Sequence, residues 1–119
     1  MFVATWSGET QSWSSGQLQP YGPISMMPSA QVLNYGQAIF EGMKAQNSAK
    51  GQVVLFRPEQ NAARMKQGAA RMSMPHVPEE LFLEAVRSTV KSNIGWVRAP
   101  SVSLVYEHFQ LHTQSLCTS

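Results

Sequence analysis

MKAQNSAKGQVVLFRPEQNAARMKQGAAR, residues 43–71, reads as two strands, a turn and a helix in succession. Residues 43–46 and 52–56 have the look of strands, and the NSAKG between them has the turn chemistry of a hairpin. Pro58 suits the first turn of a helix, where its missing N–H costs nothing, and Glu59 lies near the positive end of the helix dipole. That helix is expected to run to about Arg71.

Further along, Pro75 and Pro78 bracket a connector, and Pro78-Glu79-Glu80 repeats the helix start signal. Leu81, Phe82, Ala85, Val86, Thr89 and Val90 then form a stripe down one helical face. Each large apolar member would contribute roughly 1.5–3 kcal/mol on burial, before entropy is charged. Upstream, residues 1–6 are rich in β-formers and lead into the Gly/Ser-rich SGETQSWSSG; Trp13 and residues 17–21 return as the second strand of a hairpin. Pro20, Gly22, Pro23 and Pro28 punctuate a loop through Ala30, followed by a short helical turn within residues 34–40. Past Arg98 the periodicity weakens: SVSLVY offers one more strand, and the rest reads as an undocked tail. The expected fold is α+β, a small antiparallel sheet packed by two helices with an irregular C-terminal tail. The expected division is a domain over residues 1–97 and a divergent, poorly ordered tail over 98–119.

With 119 residues the chain suits one domain with one modest core. Charged residues are 13% of the total, about half the usual share, so the surface is thinly charged or meant for a partner. A net charge of +2 gives no argument for nucleic acid or an anionic membrane, and no apolar run approaches a membrane span. Cys117 is the single cysteine and cannot form an internal disulfide. The opening MFVATWSGET lacks both the pattern of a secretory signal and the arginine-rich character of a transit peptide, so the compartment is not legible.

Three groupings carry possible chemistry. Arg57, Arg64 and Arg71 recur every seven residues, nearly on one helical face, as either a phosphate-type anion site or a solvated face. His108 and His112 stand four apart behind Glu107, a spacing that suits a metal on a helix, but no third ligand is evident and the segment lacks a helix pattern. Two exposed histidines is the simpler reading, so no metal site is expected. Tyr21, Tyr35 and Phe40 lie beside Gly22, Gly36 and Gly42, as the walls of an apolar pocket or as ordinary core. Lys44, beside them, is either a Schiff-base nucleophile or a surface lysine.

LNYGQAIFEGMKA (residues 33–45), VLFRPEQNAARMKQGAARMSMP (54–75) and the helix ending in GWV (95–97) resemble the branched-chain amino-acid aminotransferases, fold-type-IV enzymes that use pyridoxal phosphate. QLQPYGPISMMPSAQV, ahead of the first motif, adds milder similarity. D-amino-acid transaminases and aminodeoxychorismate lyases share that fold, but the LNYGQ and FEGMKA wording favours the branched-chain group. The resemblance implies a small domain in which Arg64 holds the cofactor phosphate. It also implies that Tyr21, Tyr35, Phe40 and Gly42 line the side-chain pocket for leucine, isoleucine and valine. The implied reaction moves an amino group between a branched-chain amino acid and 2-oxoglutarate, and the implied assembly is a homodimer. The family's catalytic lysine belongs to a large domain, and no lysine here takes its role. After Val97 the family continues to a Tyr-x-Arg-Pro strand; here SLVYEHFQL offers Tyr106 with no arginine after it, and the likeness is expected to end at Val97. The chain is accordingly expected to be a truncated aminotransferase, inactive alone. The alternatives are an interaction module docking on a full-length subunit, or an unstable truncated product.

Overall fold

The computed structural model describes residues 1–97 and the backbone of residues 104–111. Four two-residue strands open the chain: β1 (Phe2–Val3), β2 (Trp6–Ser7), β3 (Ser12–Trp13) and β4 (Gln17–Leu18). β1 pairs antiparallel with β4 and β2 with β3, so the expected hairpin is present as two short ladders. It closes through Trp6 and Trp13, whose rings meet edge to face at 5.8 Å. Trp13 Nε1 also donates to the His76 carbonyl at 2.8 Å, fastening the hairpin to the loop between the two long helices.

A five-residue helix, α1 (Gln31–Tyr35), comes slightly earlier than expected and ends at Gly36, whose φ of 62° gives a left-handed cap. Next come β5 (Ala38–Asn47) and β6 (Val53–Leu55), joined by the NSAKG turn, where Gly51 N–H bonds the Ser48 carbonyl at 2.9 Å. The last strand, β7 (Leu104–Leu111), lies antiparallel to β5, giving the sheet order β6-β5-β7. The strand expected at SVSLVY is therefore found, and it runs further, to Leu111. Pairing of Ala38 with Leu111 through to Ala45 with Leu104 also explains why β5 starts well before residue 43. Residues 98–103 and 112–119, which hold the rest of the expected tail, lie outside the described residues.

Both long helices fall where the sequence placed them: α2 (Pro58–Arg71) and α3 (Glu79–Ser92). They pack on one face of β5. Along that strand Ile39, Met43 and Ala45 turn toward the helices, while Phe40, Gly42, Lys44 and Gln46 are exposed on the other face. The core joins Ala45 to Ala62 and Met65 of α2 and to Phe82, Val86 and Val90 of α3, with Val77 and Val97 closing its ends. Phe82, Met65 and Val86 are the largest fully buried side chains among the described residues. The stripe read on α3 is thus a buried face, with Thr89 and Leu81 at its half-buried margin.

Candidate functional site

One inward position of β5 breaks the apolar pattern. Glu41 follows Ile39 and precedes Met43 and Ala45 on the helix-facing side, and its side chain is 13% exposed. A carboxylate placed there needs partners, and α2 provides two from one face, three residues apart. Arg64 grips it in fork fashion, Nε to Oε1 at 2.9 Å and Nη2 to Oε2 at 2.8 Å. Asn61, buried, donates its Nδ2 to Oε2 at 2.7 Å and to the Gly42 carbonyl at 3.0 Å. Helix and strand are therefore tied by a polar lock beside an otherwise apolar interface.

The Arg64 guanidinium, acting through its hydrogen bonds, holds the Glu41 carboxyl below its ordinary pKa of 4.5, with help from Asn61 and against the opposing effect of partial burial. Glu41 in turn raises Arg64 further, so the arginine stays charged. Because the folded carboxyl is the more acidic one, the lock's contribution to stability is whole above pH 4.5 and is lost as pH falls through the folded value. Glu41→Gln is accordingly expected to be less stable than the parent chain near pH 7, with the difference shrinking below pH 4.5 in acid titrations followed by circular dichroism.

Arg64 is 57% exposed and lines a cleft of about 410 Å³ together with Gly42, Lys44, Phe56, Arg57 and Asn61. Its fork engages two of the five guanidinium N–H groups; the others have no partner among the described residues. Arg64 borders that open cleft, and its remaining donors are of the kind that suit an oxyanion such as a phosphate monoester. Arg57 shares the cleft, but from a left-handed conformation (φ 48°, ψ 53°) as the residue before α2. It does so ahead of Pro58, which disfavours helical geometry in its predecessor, so the seven-residue row of arginines breaks at its first member. Arg71 lies exposed in the last turn of α2 and does not line the cleft.

Of the expected pocket residues, Gly42 lines the cleft, while Tyr21, Tyr35 and Phe40 do not and are 95%, 80% and 72% exposed. A Cβ added at Gly42 would meet nothing within 4 Å among the described residues. His108 lies on β7, and His112 lies outside the described residues. No group of three metal-ligating side chains occurs among the described residues. No helix there is long and apolar enough to cross a membrane. Glu41 and Asn61 were missed in the sequence; a lone charge at an inward strand position was the readable signal.

No family model matches the chain. Curated proteins do. The chain is 51% identical over 94 residues, 79% of its length, to the chloroplastic branched-chain-amino-acid aminotransferase 5 of Arabidopsis thaliana. It is 49% identical over 87 residues to the branched-chain-amino-acid aminotransferase of Mycolicibacterium smegmatis, which takes in 73% of the chain. This chain belongs to the branched-chain aminotransferase family. It spans 23% and 24% of those two relatives, about a quarter of an aminotransferase of this family. Branched-chain-amino-acid transaminase 1 of Bacillus subtilis is 41% identical over 115 residues, 96% of the chain and 32% of the relative. A match of that extent runs past Val97, so likeness to the aminotransferases continues beyond the point where the motifs alone ended it.

Proposed function

We propose that this chain is the part of a branched-chain aminotransferase whose Arg64 grips the phosphate of pyridoxal phosphate. The enzyme concerned would move an amino group between leucine, isoleucine or valine and 2-oxoglutarate. One observation carries the reading: Arg64 is held along one edge by Glu41 and lines a cleft together with Gly42. When bound, the cofactor supplies the electron sink for amino transfer. The chain's own residues hold and orient. Tyr21, Tyr35 and Phe40 supply aromatic surface that, once covered, makes a dry wall suited to branched aliphatic side chains, which gain by leaving water. Since no lysine here matches the family's catalytic lysine, the 119 residues alone are expected to form no glutamate from leucine and 2-oxoglutarate.

The test compares binding of pyridoxal phosphate and pyridoxal to the 119-residue chain by titration calorimetry. The phosphate ester is expected to bind more tightly, and Arg64→Ala to remove that advantage, a loss of about 10-fold or more for a charge-assisted pair of hydrogen bonds. Equal binding of the ester by the variant and the parent chain would end the reading. A second reading is that the chain docks on a full-length aminotransferase subunit, as a homodimer half would. The outward sheet face favours it: Phe40, Val54 and the neighbouring Phe56 are 72%, 44% and 82% exposed. Co-purification with a full-length relative supports docking; a monodisperse folded monomer without such association counts against it.

A further inference from the structure

We infer that Glu41 is a positioning residue for anion capture: it fixes the Arg64 guanidinium by its Nε–Nη2 edge so that the opposite edge is presented to a phosphate. The inference rests on the proposed role of Arg64 and extends it to a residue that would touch no ligand.

Three features of the geometry support it. The carboxylate meets Arg64 through both oxygens, at 2.9 and 2.8 Å, which sets the plane of the guanidinium as well as its position. Glu41 is itself fixed, because it stands at an inward position of β5 and Asn61 clamps its Oε2 at 2.7 Å. Asn61 is 6% exposed and also holds the Gly42 carbonyl at 3.0 Å, so the anchor reaches the backbone of the strand that borders the cleft. Arg64, by contrast, is 57% exposed and would otherwise sample many rotamers.

A carboxylate near a phosphate also repels it, and the two effects have opposite signs. The repulsion acts across the guanidinium through solvent, which screens charges over about 8 Å at physiological salt. Orientation of a long side chain is not screened. For the loss of Glu41 to weaken the site, positioning must outweigh repulsion at that ionic strength.

The experiment follows inorganic phosphate binding to the full chain by the Nε–Hε resonance of Arg64 in ¹⁵N-labelled protein at 0.15 M salt, with backbone amide spectra reporting the fold. Glu41→Ala is expected to weaken phosphate by about 2- to 10-fold, the range for freeing one rotamer-rich side chain, and to narrow the Arg64 Nε–Hε signal as the side chain gains motion. Glu41→Gln, which loses the same charge but keeps an oxygen acceptor, is expected to retain more affinity than Glu41→Ala. Equal or tighter binding in both variants, with the fold intact, would overturn the inference and make Glu41 a competing counter-ion. Arg64→Ala separates the two layers: if it leaves phosphate binding unchanged, the role given to Arg64 has failed, and the inference about Glu41 falls with it.

Discussion

Phe82→Ala is expected to lower stability by about 3–5 kcal/mol, the range for removing a large aromatic side chain from a packed core. Phe82 is 1% exposed and sits where α3 meets α2 and the sheet, among Met65, Val86 and Ala45. No backbone shift of a helix packed on two sides can refill that volume, so the cavity remains with its lost contacts. Domains of this size hold only about 5–15 kcal/mol in total, so the variant stands at or near the edge of unfolding. Urea titration followed by circular dichroism measures it, with Leu83→Ala as the comparison on the same helix. Leu83 is half-buried and flanks the core, so its truncation should cost clearly less. A Phe82→Ala midpoint no lower than that of Leu83→Ala would mean the core is not assembled around this ring.

Gly16→Ala is expected to cost about 2–5 kcal/mol, from two causes that a control separates. Gly16 has a φ of 73°, a left-handed conformation that charges any L side chain about 1–2 kcal/mol. A Cβ there would also collide with Cε1 and Cζ of the Phe2 ring, and crowding of that kind adds about 1–3 kcal/mol. Gly36 shares the left-handed backbone, with φ 62°, but an added Cβ meets nothing within 4 Å among the described residues. Gly36→Ala should therefore show the backbone cost alone, and the difference between the two melting temperatures reads the clash. If the two substitutions cost the same, the Phe2 ring is free to move aside and the hairpin is looser than its β1–β4 ladder implies.

The two long helices were legible because their signals are local. Pro58 and Glu59, then Pro78 and Glu79, mark the starts; the apolar stripe on α3 marks the buried face. A helix satisfies its own backbone, so such signals need no distant partner. Strands do, and the edges of β5 show it. Residues 38–42 were not read as strand because what holds them extended is pairing with β7, more than sixty positions away in the chain. Arg64 was legible as a lone cation through its motif, whereas its pairing with Glu41 was not, since strand and helix are joined only when the sheet packs on α2.

On its own, then, the sequence determined the two helices, the N-terminal hairpin, the NSAKG turn and membership of the branched-chain aminotransferase family, all carried by contiguous residues. Tertiary structure alone decided which edge of Arg64 is engaged, that Asn61 anchors Glu41 to the strand, that Arg57 stands in a left-handed turn beside them, and that Tyr21 and Tyr35 are exposed. The physical reason is range. Capping, turn chemistry and amphipathic period act within one or two turns of chain, while a charge lock between strand and helix exists only once non-local packing brings the two elements together.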